Sequence, residues 1–234
     1  HNDERLGKNQ RTDAEAGDKI RYYSAFTDLE EAQFIVDETK ALEREGWDLD
    51  EIAVLYRSNA QSRVIEQSLF RSGIPYKIYG GLRFYERQEI KHALAYLRLA
   101  VNPDDDNALL RVINFPPRGI GARTVENLQT ASNEQGITLW QAACNAGAKA
   151  AKVAAFVRLI EALRNQVGQM PLPEIIVGIL KDSGLTEHYK TQKGDNQDRL
   201  DNLDELVNAA IEFKPEDSNF ETLPENISDD HKSN

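Results

Sequence analysis

Cysteine, methionine and long apolar runs are scarce in this sequence of 234 residues. Cys144 is the single cysteine, which excludes a disulfide framework and a cysteine-based metal site and favours a reducing compartment. The longest apolar runs, such as 175–177, cover only a few residues, whereas a membrane-spanning helix needs roughly 20. The N-terminus lacks the basic segment followed by an apolar segment that is typical of a secretory signal. Met170 is the single methionine, so no initiator is present, and we expect His1 to mark a cut made within a longer protein.

Motifs that carry out catalysis are also missing. The sequence has no Gly-x-x-x-x-Gly-Lys-Ser/Thr loop for nucleotide phosphates and no Gly-x-Ser-x-Gly nucleophile motif. Its four histidines lack the spacing of metal ligands. A metal site at Asp104–Asp106 is conceivable, but a helix N-terminus accounts for these residues and for Glu86 and Glu89, because acidic side chains favour the positive end of a helix dipole. We therefore predict no catalytic residue, no metal site and no bound cofactor in this chain.

The first 80 residues predict an alternation of strands and helices. Three short apolar segments are predicted to be strands: 19–23, 52–55 and 76–79. Thr27 and Glu30 have the spacing of a capping box and open a helix to about Arg44, and Ser58 can cap a second helix. Strand, helix, strand, helix, strand indicates an α/β fold with a partial parallel sheet.

After residue 80 the pattern becomes helical. Ile90, Leu94 and Leu97 recur at helical spacing. Further helices are predicted near 123–133, 137–145, 148–167, 172–182 and 197–212. From about Pro215 polar and acidic residues dominate without periodicity, which predicts a mobile tail or a severed loop. We therefore divide the chain into an α/β unit at 1–80, a mostly α-helical domain at 81–214 and a tail at 215–234.

The net charge of −11 argues at first against a nucleic-acid partner. Residues 57–126, however, contain 11 Lys/Arg and 7 Asp/Glu, a charge of +4, whereas the other 17 basic and 32 acidic residues give −15. Within this basic segment Arg87, Lys91 and Arg98 form one stripe of a predicted helix, opposite its apolar face. The stripe could bind phosphates, and a merely solvated helix face is the alternative.

Residues 117–124, Pro-Arg-Gly-Ile-Gly-Ala-Arg-Thr, are similar to the hairpin of a helix-hairpin-helix module. Two glycines flank an apolar residue between two helices, so the backbone can approach a phosphate at a helix N-terminus. Contacts of this kind hold duplex DNA without reading its sequence. A tight turn without a ligand is the alternative, and the flanking basic residues favour DNA. The candidate contacts are Arg118, Gly119, Ile120, Gly121, Arg123 and Thr124.

Residues 56–63 directly follow the second predicted strand, and the carboxyl ends of parallel strands present ligand-binding groups. Arg57 offers a forked cation for a phosphate, and Asn59 offers a donor and an acceptor. Alternatively, Ser58 and Asn59 only cap the next helix and Arg63 forms a surface ion pair. The residues by themselves leave both interpretations open.

Three motifs occur in one order and spacing: Ala-Val-Leu-Tyr-Arg-Ser-Asn-Ala-Gln-Ser-Arg at 53–63, Gly-Gly-Leu-Arg-Phe-Tyr-Glu-Arg-Gln-Glu-Ile-Lys at 80–91 and Arg-Gly-Ile-Gly at 118–121. Together they resemble the UvrD/PcrA/Rep group of superfamily 1 DNA helicases, and Leu-Trp-Gln-Ala at 139–142 and Lys-Asp-Ser-Gly-Leu at 181–185 extend the resemblance. The resemblance covers roughly residues 5–212. It implies that residues 1 to about 80 are part of the second RecA-like motor domain, 2A. Residues from about 81 would be part of the helical domain inserted into it, 2B.

The resemblance also assigns DNA contacts. Arg57, Asn59 and Arg83 match positions that contact single-stranded DNA in the family. The positions that hold the duplex ahead of the fork are matched by Lys91, Arg98, Gly119, Ile120, Gly121 and Thr124.

The implied parent is an ATP-dependent helicase that unwinds duplex DNA 3′ to 5′ during repair, in the bacterial cytoplasm and associated with the nucleoid. ATP and Mg²⁺ would bind the full-length parent, but this chain lacks the Walker loop, the acidic metal-binding pair, the arginine fingers and the Leu-His-Ser-x-Lys-Gly-Leu-Glu motif. We therefore predict no ATP hydrolysis by this chain alone. Its expected partners are DNA and repair proteins, with no membrane. The alternative is a regulatory protein-interaction module whose DNA contact is incidental.

Overall fold

The structure, a computed structural model, describes residues 17, 19–79, 81–147, 150–192 and 196–213. This part of the chain contains ten α-helices and three short 3₁₀ helices, at Leu49–Glu51, Asn59–Gln61 and Phe84–Glu86, and no β-strand. The α-helices are α1 Asp28–Glu45, α2 Ser62–Arg71, α3 Gln88–Val101, α4 Asp106–Val112, α5 Ala122–Gln135, α6 Leu139–Gly147, α7 Ala151–Arg164, α8 Leu172–Asp182, α9 Leu185–Thr191 and α10 Gln197–Glu212.

The predicted α/β fold with a partial parallel sheet is wrong for the described residues, which are helical. None of the segments 19–23, 52–55 and 76–79 forms a strand. A strand is stabilised by backbone hydrogen bonds to a neighbouring strand and by burial of alternate side chains. Here the three segments do not pair with one another, and apolar side chains stay in solvent. Ile20 is 99%, Leu55 94% and Tyr79 82% exposed.

Helix α1 shows how local signals set the helix ends. The Thr27 side chain accepts a hydrogen bond from the Glu30 amide, and the Glu30 carboxylate accepts one from the Phe26 amide. Acidic residues in the first turn favour the positive end of the helix dipole. Gly46 ends the helix with a φ of 100°, which glycine adopts without strain. The predicted helix from Thr27 to about Arg44 is thereby confirmed within one residue at each end.

Buried apolar side chains form two separate clusters. The small one consists of Val36 from α1, Leu69 from α2 and the following Ile74. The large one runs from Phe84 to Ala210 and joins the helices from α3 onward. Helix α3 lies at its centre and contacts α4, α7, α8 and α10. This position makes α3 the scaffold on which the neighbouring turns are mounted.

Two further observations concern the expected organisation. The division between residues 80 and 81 stays a prediction, although each side of it has its own apolar cluster. The predicted tail at 215–234 lies outside the described residues. No helix in the described ranges is both long enough and apolar enough to cross a bilayer.

Candidate nucleic-acid interface

The hairpin between α4 and α5 is held together by one amide side chain. Asn114 Oδ1 accepts hydrogen bonds from the backbone amides of Arg118 and Ile120, both at 3.0 Å. The Ile120 side chain is buried in the large cluster and fixes the turn from below. Gly119 has a φ of 73°, in the left-handed region that favours glycine. The hairpin is therefore a defined turn, and Asn114 is a part of it that the sequence analysis missed.

The guanidinium of Arg118 donates hydrogen bonds to backbone carbonyls. Its NH1 donates to Val112 O at 3.2 Å and to Pro116 O at 3.1 Å, and its NH2 donates to Ser183 O at 2.7 Å. The guanidinium also lies over the Tyr96 ring, 5.6 Å from the centroid. These contacts give Arg118 an anchoring role, because they tie the hairpin to α3 and to the turn after α8. Its contact with duplex DNA stays a prediction.

Tyr96 provides a second anchor between α3 and the hairpin. Its hydroxyl donates to Phe115 O at 2.6 Å. Burial raises the pKa of Tyr96 to about 12, so the hydroxyl stays protonated at neutral pH and keeps its proton for this hydrogen bond. Helix α3 and the hairpin are therefore held in one arrangement.

In the first turn of α5 the backbone amides of Ala122 and Arg123 have no hydrogen-bond partner among the described residues, whereas the Thr124 amide donates to Gly121 O at 2.9 Å. Gly121 caps the helix without a side-chain hydrogen bond, and the first amides of a helix have no acceptor within it. Arg123 is exposed and has no side-chain partner among the described residues, whereas Thr124 is half-buried. The sequence analysis missed Lys152, whose Nζ donates to Gly119 O at 3.3 Å across 33 residues of chain. No local pattern links these two positions.

Two of the three residues of the predicted basic stripe lie on the surface of α3. Lys91 and Arg98 are exposed and lie seven residues apart, which places them on one face about 10.5 Å apart along the axis. Neither has a side-chain partner within the described ranges. Arg87 was wrongly included in this stripe, because it precedes α3 and its side chain is buried by contacts with distant parts of the chain. The solvent-exposed stripe consists of Lys91 and Arg98.

The turn at 57–61 carries two of the predicted single-strand contacts. Gln61 Oε1 accepts from the backbone amides of Arg57 and Ser58, both at 3.1 Å. The Arg57 side chain is exposed and unpaired in the described part of the chain. The Asn59 side chain is engaged, because its Nδ2 donates to Asp198 Oδ2 on α10 at 3.0 Å.

The remaining candidates have partners of their own. Arg83 is exposed, and its guanidinium lies 5.8 Å from the centroid of the Tyr76 ring. One interpretation predicted that Arg63 forms a surface ion pair, and this prediction is wrong. Arg63 is 2% exposed, and it pairs with Glu205 at 2.5 Å and Glu212 at 3.0 Å, both on α10. Ser58 does cap the Asn59–Gln61 helix, as the same interpretation predicted.

Two of the acidic candidates, Asp105 and Glu89, have structural hydrogen bonds. Asp105 caps α4 by accepting a hydrogen bond from the Ala108 amide at 2.9 Å, which agrees with the helix-start interpretation. Glu89 is buried and accepts from Asn202 Nδ2 at 2.6 Å. Within the described ranges, no group of three His, Cys, Asp or Glu side chains is arranged to hold a metal ion.

A glycine turn at a helix N-terminus, mounted on a helical domain beside exposed cations, fits a protein that engages nucleic acid. Residues 1–228 match the family model of the UvrD-like helicase C-terminal domain, and the chain belongs to this family. The resemblance to the UvrD/PcrA/Rep helicases, based on the three motifs, is confirmed.

Individual relatives agree with this assignment. The chain is 44% identical over 232 residues to DNA helicase II of Escherichia coli (strain K12), which covers 96% of this chain and 32% of that protein. Identity is 48% over 227 residues to DNA helicase II of Haemophilus influenzae, covering 93% and 31%. It is 38% over 222 residues to the ATP-dependent DNA helicase PcrA of Bacillus subtilis, covering 92% and 30%. The chain therefore spans about a third of the length of these relatives.

Proposed function

We propose that the chain is the DNA-engaging central part of an ATP-dependent 3′–5′ DNA helicase that unwinds duplex DNA during repair. The relatives are DNA helicases, one of them named as ATP-dependent, and the family match covers almost the whole chain. In this proposal Arg57, Asn59 and Arg83 contact the single strand. The duplex contacts are Lys91, Arg98, Arg118, Gly119, Ile120, Gly121, Arg123 and Thr124.

The hairpin between α4 and α5 is the observation that best supports DNA binding in this proposal. The amides of Ala122 and Arg123, at the start of α5 where no side chain caps the helix, are free to donate to a phosphate, at the end of the helix dipole that favours negative charge, and the positive-φ Gly119 precedes them. Lys91, Arg98 and Arg123 are exposed cations with no ion pair among the described residues, so all three can neutralise phosphates. An interface with only three cations should bind DNA weakly, and we expect a non-specific Kd for DNA of about 10⁻⁴–10⁻⁶ M at physiological salt.

ATP and Mg²⁺ belong to the full-length parent in this proposal. The described residues do not fit ATP, because they offer no Walker loop for its phosphates. We therefore assign no step of ATP hydrolysis to them. Phosphate release by a purified sample of this chain in the presence of ATP, Mg²⁺ and single-stranded DNA would contradict this assignment.

The proposal also concerns partners and location. We place the parent protein in the bacterial cytoplasm, associated with the nucleoid, with DNA as its main partner and repair proteins as further partners. The relatives, which are bacterial DNA helicases, support this part of the proposal.

A titration of labelled forked DNA tests the DNA contacts. Fluorescence polarisation at low and raised salt should show binding that weakens with salt and that weakens severalfold in Lys91→Ala and in Thr124→Ala. Lys40→Ala is the matched control, because it removes one exposed cation from α1, away from the hairpin. If all three variants bind like the unmodified chain, the proposed interface is wrong and the protein-interaction module becomes the better explanation.

A further inference from the structure

Arg87 lies where three parts of the chain meet. Its guanidinium is buried, with only 8% of the residue exposed. NH1 donates to Asn59 O and to Asn202 Oδ1, both at 2.8 Å, and NH2 donates to Ser62 Oγ at 2.6 Å. Nε completes the set by donating to Leu82 O at 3.3 Å. One side chain at the start of α3 therefore joins the turn before α2, the first residue of α2 and helix α10.

The acceptors around Arg87 are themselves held in place. Asn202 Nδ2 donates to the buried Glu89 at 2.6 Å, so its Oδ1 stays directed at the guanidinium. Ser62 Oγ donates to Glu66 at 2.7 Å while it accepts from Arg87. A buried charge is costly unless it is fully hydrogen-bonded, and this network supplies the required partners. The arrangement therefore has little freedom to change piecemeal.

The same contacts hold the turn that carries Arg57 and Asn59. Arg87 binds the Asn59 carbonyl inside the turn and the Ser62 hydroxyl at its end. Gln61 Oε1 binds the amides of Arg57 and Ser58 at the start of the turn. The turn is thus fixed along its length, and the exposed Arg57 side chain projects from a rigid base.

We propose that Arg87 is a positioning residue for the single-strand contacts. Its guanidinium is buried and hydrogen-bonded inside the protein, so we do not assign it a direct contact with the strand. It keeps the turn at 57–61 in one conformation, which spares the strand the cost of ordering that turn on binding. The inference rests on the proposed function, because it presumes that Arg57 and Asn59 contact DNA. It adds Arg87, a buried residue at the start of α3, which acts on Arg57 and Asn59 indirectly by holding their turn.

Hydrogen exchange tests the positioning role without DNA. In Arg87→Lys a compact ammonium replaces the fork and cannot reach all four acceptors. The amides of 58–61 should then exchange at least about tenfold faster, while those of α5 keep their protection. Arg63→Lys is the matched control, because it disturbs another buried arginine that pairs with the same helix α10, while the side-chain hydrogen bonds of Arg63 go to Gln67, Glu205 and Glu212 and not to this turn. Unchanged exchange at 58–61 in Arg87→Lys, or equal acceleration in both variants, would overturn the proposal.

Binding gives the second readout. Arg87→Lys should weaken binding of an oligothymidylate about five- to tenfold and leave duplex affinity within about twofold, a split that general destabilisation would not produce. Arg63→Lys should leave the ratio of the two affinities unchanged. If circular dichroism shows that Arg87→Lys does not fold, Ser62→Ala takes its place, since it removes one acceptor and should shift the ratio in the same direction. An unchanged ratio in the folded variant rejects the proposal.

Arg57→Ala separates the two levels of inference. If Arg57→Ala binds oligothymidylate normally, the proposed single-strand site is wrong, whatever Arg87 does to the turn. If Arg57→Ala weakens that binding and Arg87→Lys does not, the site stands and the positioning role is rejected.

Discussion

Gly119 and Gly121 lie two residues apart in the hairpin but differ in what they require of the backbone. Gly119 has a φ of 73°, and a Cβ there would collide with the end of the flexible Lys152 side chain. We expect Gly119→Ala to lower the free energy of unfolding by about 1–2 kcal/mol, because a left-handed conformation is strained in alanine. Urea unfolding followed by circular dichroism measures this difference.

Gly121→Ala provides the comparison at the same site. Gly121 has a φ of −80°, and no heavy atom lies within 4 Å of a Cβ built there. Its substitution should change stability by less than about 1 kcal/mol. In the proposed interface the added methyl group would nevertheless crowd the phosphate at the start of α5, so duplex affinity should fall. A stable Gly121→Ala protein with unchanged duplex binding would contradict the proposed role of the hairpin.

His92 makes the stability of the helical domain depend on pH. Its ring is buried, stacks on Phe115 with centroids 3.8 Å apart and has Nδ1 3.3 Å from the Tyr189 hydroxyl. Burial, reinforced by the nearby Arg111, lowers the pKa of His92 from 6.5 to about 4.

Below about pH 6.5 the unfolded chain binds a proton at His92, whereas the folded chain does not bind it until about pH 4. The stability that the neutral, buried His92 provides is therefore fully present above pH 6.5 and is lost as the pH falls towards 4. A pKa lowered by one corresponds to about 1.4 kcal/mol, so the full lowering would give about 3 kcal/mol, and screening by nearby solvent reduces the expected loss of stability to about 1–2 kcal/mol. Unfolding of the wild type and of His92→Gln between pH 4 and 8 checks it, since only the difference between the two curves reports His92. Parallel curves across that range would contradict the shift.

At the scale of elements, the buried ion pairs of Arg63 join α2 to α10. Removing Arg63 leaves Glu205, whose side chain is 12% exposed, without its charge partner. We expect Arg63→Ala to lower the free energy of unfolding by about 3–5 kcal/mol, the range for breaking one side of a buried pair. Arg21→Ala is the control, because its pair with Glu38 on α1 lies in solvent and should matter little. Similar unfolding midpoints for the two variants would show that the α2–α10 pair is not stabilising.

Helices were predictable from the sequence because their signals are local. The predicted bounds 172–182 and 197–212 agree with α8 and α10, since the apolar spacing that predicts a helix lies within the helix itself. Strands at 52–55 and 76–79 were predicted wrongly, because the same spacing says nothing about a partner strand. Helix α9 was missed, since seven residues are too few to show a period.

The candidate site divides in the same way. The exposed Lys91 and Arg98 and the glycine turn follow from spacing along one segment. The burial of Arg87 does not, because its partner Asn202 lies 115 residues away in the sequence. Lys152 beside Gly119 is missed for the same reason. Sequence spacing therefore identified surface residues of the candidate site but not the residues, distant in the sequence, that contact the turns from other helices.

At the scale of the whole molecule, the charge is unevenly distributed. Residues 57–126 have a charge of +4, against −15 for the remainder. The acidic remainder opposes the approach of DNA over long distances, but salt screens this repulsion beyond roughly 10 Å at 0.1 M. Contacts at the interface therefore decide binding, and the number of cations there sets its dependence on salt.

The salt dependence of DNA binding reports how many of these cations contact phosphates. With Lys91, Arg98 and Arg123 each neutralising one phosphate, log K for duplex binding should fall with log salt with a slope of about −2.7. Lys91→Ala should reduce the steepness by about 0.9, and Arg98→Ala by the same amount, whereas Lys40→Ala on α1 should leave the slope unchanged. Polarisation titrations at four or more salt concentrations give these slopes. A slope that responds equally to Lys40→Ala and Lys91→Ala would mean that DNA binds the chain without using the face of α3, and the interface would have to be sought elsewhere on the surface.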